Sequence, residues 1–334
     1  MSDLKAGAVS IAVVEDNALT FGADVLILKY AQFHYGVDSI VAAKLLVRYP
    51  DLATLLPPEG DVRLFPSKGL LGAAAVLFVG VPPLRRFGYP EIRDFGRRAV
   101  TALAQEASAA RHIALTLHGA GFGLDWKEAF RSEVAGLLDA VIGGDVPRRL
   151  TRISIVERDS RRAQGLRSLL TTLIPTAVVT ESTKIGQSAD ESLRSAGYAS
   201  STKPHVFVAM PFDDAMSDVF EYGIQNPINQ LGYLCERADQ SSFTGDVLDW
   251  IKKRIETALL VVADLTAANP NVYLELGYAW GRGKPTILTV HDTSDLKFDV
   301  RGQRCLVYKN IKNLEQLLHK ELASLASASP KSGS

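Results

Sequence analysis

Residues 263–285 read ADLTAANPNVYLELGYAWGRGKP and directly follow the apolar run ALLVV. Three chemically capable features are spaced along this stretch. Asp264 ends a buried-strand pattern, Asn269, Pro270 and Asn271 make a polar turn, and Glu275 is a lone acid in an otherwise apolar helical pattern. Tyr273, Leu274, Leu276, Tyr278, Ala279 and Trp280 flank Glu275, and Gly277 leaves space beside it. An acid in such company must be paired, used or protonated. A single carboxylate of this kind can stabilise a developing positive charge on a substrate or form a covalent intermediate with it. Each piece also has a plainer reading: Asp264 caps the following turn, Asn271 is the helix N-cap, and Glu275 is an early-turn acid favoured by the helix dipole.

The elements around the motif decide where these groups point. From residue 204 the chain alternates strand HVFVAMPF, helix near AMSDVFEYGIQNPINQLG, strand YLCERA, helix GDVLDWIKKRIETA, strand LLVVADL, helix NVYLELGYAWG and strand PTILTV. Such alternation predicts a doubly wound parallel sheet, because parallel strands need crossover helices. Ligands of open sheets sit beyond the carboxyl ends of the strands. Asp264 lies at one such end and Met210, Pro211 and Phe212 lie at another. Glu275 is about one helical turn into the next helix, facing back toward the strand ends.

The first half repeats the alternation with VSIAVVED, DVLILKY, VRLFP, AAAVLFVGV, HIALTLHGA and TRISIVER as strands. The stretches DSIVAAKLLVRY, PEIRDFGRRAVTALAQEA, DWKEAFRSEVAGLLDAVIGG and DSRRAQGLRSLLTTL carry helical spacing. The predicted organisation is therefore two α/β domains, residues 1–178 and 204–322, joined by a Ser-rich linker at 179–203 and followed by a disordered tail at 323–334. Within the first domain, TLHGAGFGLD runs a strand into Gly119, Gly121 and Gly123 and then into a helix. Exposed backbone N–H groups in such a turn can cradle phosphate, with His118 and Phe122 beside them, although the same glycines serve any tight strand-to-helix connection.

Composition narrows the function classes. The chain has 334 residues, 47% hydrophobic and 22% charged, with 37 basic and 37 acidic side chains. A net charge of zero gives no global attraction to nucleic acid or an anionic membrane. No apolar run reaches the ~20 residues of a membrane span and the N-terminus lacks a secretory pattern, so a cytoplasmic protein is expected. The two cysteines, Cys235 and Cys305, offer neither metal-ligand spacing nor a disulfide framework, and no metal site is expected.

The motifs FVAMPF, VVADLTAANPNVYLELGYAWGRGKPTILT and FDVRGQRCLVY, in this order over roughly residues 204–320, resemble the nucleoside 2-deoxyribosyltransferase-like and bacterial TIR-like superfamily. The resemblance implies a TIR-like or flavodoxin-like fold. It implies that Glu275 attacks or stabilises the anomeric carbon of a ribosyl group, that Asp264 and Asn271 hold the sugar, and that Met210, Pro211 and Phe212 contact substrate. The turn PNVYLELG replaces the DSGTAFELG type of the transferases, which favours an NAD glycohydrolase or ADP-ribosyl cyclase in an antiphage setting over deoxyribosyl transfer. A non-catalytic nucleotide-sensing or assembly module is the further alternative. Phe212, Phe243, Tyr273 and Trp280 are candidates for stacking on nicotinamide or adenine, with core packing as the plainer role of each. In the first half, FGADVLILKY, AAVLFVGV and HGAGFG resemble the macro-like N-terminal domain of leucine aminopeptidases. This implies a macro-like mixed sheet; the glycine loop also resembles the macrodomain loop around ADP-ribose phosphates, which implies an ADP-ribose-type ligand at His118, Gly119, Gly121, Phe122 and Gly123. NAD is thus expected as substrate, with no further cofactor and with homo-oligomers as the working assembly.

Overall fold

The computed structural model describes residues 4–6, 9–173, 201, 203–237 and 247–328. The chain folds as two compact units, Met1–Gly121 with Trp126–Ser201, and Phe122–Asp125 with Thr202–Ser334. The expected linker lies outside the described residues except for Ser201 and Lys203.

The first unit is built on a seven-stranded mixed sheet. Its strands are β1 (Leu4–Ala6), β2 (Val9–Glu15), β3 (Val25–Tyr30), β4 (Val62–Pro66), β5 (Ala75–Gly80), β6 (His112–Thr116) and β7 (Arg152–Glu157), in the spatial order β1-β2-β7-β6-β3-β5-β4. Antiparallel pairs close the two edges and the five central strands run parallel. Parallel strands are covered on both faces, which is why β3 opens on the apolar run VLIL and is buried from Val25 to Lys29. Helices α1 (Val37–Leu46), α2 (Leu52–Leu55), α3 (Tyr89–Glu106), α4 (Trp126–Gly143) and α5 (Ser160–Leu173) provide the cover. Helices α3 and α4 meet at two glycines: a Cβ on Gly96 would come within 2.8 Å of the Glu133 carbonyl oxygen, and one on Gly136 within 2.0 Å of that of Arg93. The two-pronged ion pair of Arg93 with Asp139, at 2.8 and 3.1 Å, fixes the same crossing. Strand β1 and helix α2, both too short to give periodicity, were not foreseen from sequence.

The second unit is an all-parallel sheet of β8 (His205–Ala209), β9 (Leu234–Glu236), β10 (Leu260–Asp264), β11 (Thr286–Val290) and β12 (Cys305–Val307). Its order is β12-β11-β10-β8-β9, so β10 is central and fully buried. Counted within the unit this is the doubly wound order 2-1-3-4-5. Helices α7 (Val247–Thr257) and α8 (Pro270–Gly281) share a core with Phe207, Ala209, Val261 and Ala263 on one face. On the other face Val206, Val208, Met210 and Val262 pack with Ile224, Ile228, Leu314 and Leu318. These come from a π-wound segment, Val219–Gln225, its continuation α6 (Asn226–Gln230), and α9 (Ile311–Ala328).

Two expectations change here. The helix expected near 215–232 breaks into a short 3-10 turn, the π-wound segment and α6. Pro227 has no N–H and its ring crowds the carbonyl four residues back, and the chain widens so that Asn226 N–H donates to the Glu221 carbonyl, five residues earlier. The tail was expected from 323, yet α9 runs on to Ala328, because Leu314, Leu318 and Leu322 are buried at four-residue spacing. Residues 329–334 lie outside the described residues.

Candidate functional site

In the order 2-1-3-4-5 the chain leaves β8 toward one face and β10 toward the other, so the switch point, where ligands of such sheets bind, falls between their carboxyl ends. Asp264, Glu275 and the Met210–Phe212 segment all belong to these two strand ends and the helix that follows β10.

Asp264 is fully buried. Its Oδ1 accepts from Thr266 N–H at 3.0 Å and its Oδ2 accepts from the Thr289 hydroxyl at 2.8 Å. Strand register makes the second contact, since Asp264 and Thr289 face each other across β10 and β11. Burial raises the carboxyl above the ordinary aspartate range, opposed by hydrogen bonds from Thr266, Thr289 and Tyr308. Burial first, and then the Asp264 charge, also push the Tyr308 hydroxyl up and the Cys305 thiol to about 11, so Cys305 stays protonated at neutral pH. The Thr266 hydroxyl pairs with Tyr308 Oη at 3.2 Å and accepts from His291 N–H at 3.1 Å. Asp264 is thus the hub that shapes the loop after β10. That loop is strained: Ala267 and Ala268 both take positive φ, 60° and 48°, and Asp295 accepts from Ala267 N–H at 2.9 Å.

The hub predicts a separation between two substitutions. Asp264→Ala leaves Thr266 N–H and the Thr289 hydroxyl without their acceptor and should cost about 2 kcal/mol. Asp264→Asn keeps the shape and an acceptor. Because the folded carboxyl is raised, the native state holds the proton more tightly, so the parent loses stability as pH rises above the ordinary aspartate range. Asn lacks that loss. Its stability relative to the parent should therefore be highest at neutral pH and smaller near pH 4, as urea denaturation at the two pH values will show. Equal losses for Asn and Ala at neutral pH would remove the hub role.

Helix α8 starts on Asn269, whose side chain accepts from Asn271 N–H at 2.9 Å, with Pro270 at the first helical position. Asn269, not Asn271, is the N-cap, and Asn271 is exposed on the first turn. Glu275 is 8% exposed and shares the buried stripe of Val272, Leu276 and Ala279. Helical phase therefore turns it toward the sheet. Gly277 is exposed, since two residues onward is about 200° around the helix, and so it lies away from the Glu275 carboxylate. Leu274 and Trp280 are exposed as well, and Trp280 Nε1 donates to Thr286 Oγ1 at 2.9 Å. Tyr273 is a strut: its ring packs on the core, and its hydroxyl accepts from Lys297 N–H at 3.1 Å.

At the end of β8, Met210 and Pro211 are buried, Met210 in the core on the face away from α8. Phe212 is 37% exposed and is the open member of the three. Phe243 lies outside the described residues. Sequence reasoning missed Thr266, Thr289, Tyr308 and Arg237, which single-residue types at strand ends do not mark.

In the first unit, His118 is buried after β6, where its Nδ1 meets Glu133 at 2.7 Å and the Phe95 ring lies tilted against it, with ring centres 4.3 Å apart. Burial, reinforced by the Lys29 charge, holds His118 well below the usual histidine range, and burial holds Glu133 well above the carboxylate range, so this pair is neutral. His118 Nε2 has no partner among the described residues. Gly119 and Gly123 take positive φ, 92° and 85°. A Cβ on Gly121 would meet nothing within 4 Å among the described residues. Gly123 falls in the second unit, where a Cβ would strike the Trp250 ring at 2.4 Å. The Phe122 side chain lies outside the described part of the structure. The glycine loop therefore divides, with His118, Gly119 and Gly121 in one unit and Phe122 and Gly123 in the other.

No family model matches the chain, and no curated protein matches it. Among solved structures the chain is similar to a macrodomain of Oceanobacillus iheyensis with MES bound, at 13% identity and a TM-score of 0.40, over 52% of this chain and 96% of that one. It is similar to a Trypanosoma brucei macrodomain in complex with ADP, at 18% identity and 0.37, over 48% and 68%. A third is the macrodomain of Thermus aquaticus DarG, at 16% identity and 0.35, over 44% and 97%. Among the described residues no helix is long and apolar enough to cross a membrane, and no group of three or more His, Cys, Asp or Glu is placed to hold a metal ion.

Proposed function

We propose that the second unit cleaves the N-glycosidic bond between nicotinamide and ribose in NAD, with Glu275 as the catalytic carboxylate. The observation that carries this reading is that Glu275 lies on the buried stripe of α8, the helix that follows the β10 end of the switch point. Bond cleavage passes through an oxocarbenium-like state, and a carboxylate on the opposite face of the sugar stabilises it or traps it covalently. The electron pair of the breaking C–N bond neutralises the pyridinium, so nicotinamide leaves without a proton from an acid. Water then adds to C1 and releases a proton, giving ADP-ribose. A nucleophile within the same molecule would instead give a cyclic product. Asp264 holds the loop and Phe212 offers an open ring for stacking. Incubating the protein with NAD and, separately, with deoxynucleosides, and resolving the products chromatographically, tests the reading. Base release from deoxynucleosides alone would assign the site to deoxyribosyl chemistry, and no turnover of either would leave a nucleotide-sensing module.

The first unit is read as the ligand-sensing partner, on the observation that Gly121 is open while Gly119 holds the turn. Backbone N–H groups there would meet the phosphates of an ADP-ribose-type ligand, and binding would bias the assembly of effector units into homo-oligomers. Gly121→Val adds bulk without straining the backbone. Calorimetry with ADP-ribose should show binding to the parent and at least a tenfold loss in the variant. Equal affinities would remove the loop from the site.

A further inference from the structure

The proposed site has carboxylates and rings, but its substrate carries two phosphates. The carboxyl end of β9 supplies a cation. Arg237 follows the last β9 residue, and its guanidinium carbon lies 4.9 Å from the centre of the Phe212 ring and 4.0 Å from that of Phe220. Its Nη1 donates to Met210 Sδ at 3.6 Å. Phe212 and Met210 are the residues just past β8, and Phe220 is presented by the π-wound segment. The guanidinium is therefore held at the carboxyl edge of β8, on one side of the switch point, half-buried and next to the open Phe212 ring.

We propose that Arg237 is the phosphate-binding residue of this site and that the substrate is accordingly a nucleotide or dinucleotide and not a nucleoside. The inference rests on the glycosidic reading above. A guanidinium carries its N–H donors in one plane as a fixed fork, which matches the two oxygens of a phosphate. The rings and Met210 already restrict the side chain, so less freedom is lost when an anion is bound. Asp213, Asp214 and Glu275 set carboxylates on the β8 end and α8. Without a fixed cation, that field repels a phosphorylated ligand.

The test separates phosphate recognition from turnover. The full chain carrying Glu275→Gln is titrated by calorimetry with NAD and with nicotinamide riboside, alone and combined with Arg237→Met or Arg237→Lys. Arg237→Met is expected to weaken NAD about ten- to a hundredfold and to leave the riboside within twofold. Arg237→Lys keeps the charge without the fork and should fall between. If the Met variant is unfolded by circular dichroism, the Lys variant decides the matter. An equal loss for both ligands, no loss for either, or no binding of NAD to the Glu275→Gln protein overturns the assignment. Failure of the parent to turn over NAD while the affinity pattern holds would sink the glycosidic reading and leave Arg237 as a phosphate anchor.

Discussion

Glu275→Gln is expected to lower NAD cleavage by on the order of a thousandfold or more, with the protein still folded. The amide has the shape of the acid but no negative charge, so it neither stabilises an oxocarbenium ion nor attacks C1. Packing should change little. Glu275 lies among Val272, Leu276 and Ala279, and an isosteric side chain leaves that stripe filled. Removing a charge from a site that is 8% exposed does not raise the cost of burial. Product chromatography gives the rate, and circular dichroism with thermal unfolding checks the fold. A folded Gln variant that turns over NAD at the parental rate would exclude Glu275 as the catalytic group.

The stripe that makes this prediction was legible in the sequence. Parallel strands buried on both faces appear as apolar runs such as LVVA before Asp264, and the phase of an amphipathic helix follows from residue spacing alone, so the sheet and the inward direction of Glu275 could be read. Contacts made by register could not. Thr289 is 25 residues from Asp264 and reaches it only because β10 and β11 pair at that level. Arg237 is one arginine in CERAD until β8 and the π-wound segment bring two phenylalanines to it. Gly277 shows the opposite error: adjacency in sequence suggested space beside Glu275, and helical geometry puts it on the solvent side. The end of α9 was hidden because its last turns are rich in Ser and Ala, the composition of a tail, while its buried leucines lie earlier.

The largest effect on stability is expected at Lys29. Its Nζ lies 2.6 Å from Asp38 Oδ2, and both side chains are 3% exposed, so the pair joins β3 to α1 in a setting that excludes water. Lys29→Met fills much of the volume but leaves Asp38 buried without its cation, at a cost of about 3–5 kcal/mol. Burial already raises Asp38 above the usual aspartate range, with the Lys29 charge, its hydrogen bond and His34 pulling it back. Without Lys29 the folded Asp38 is raised further. The native state then holds a proton that the unfolded state releases, so the loss in Lys29→Met should be smallest near pH 4 and grow as pH rises to neutrality. The Lys29 charge also holds His118 down and opposes the rise of Glu133, so the substitution eases protonation of His118 and stabilises neutral Glu133, a second reason for the variant to fare better in acid. Lys29→Met with Asp38→Leu removes the uncompensated acid as well as its partner and should recover most of the stability at neutral pH. Urea denaturation of the parent, the single variant and the double variant at pH 5 and pH 8 measures all of this. A single variant as stable as the parent, or a double variant no better than the single, would show that the buried pair does not hold β3 to α1.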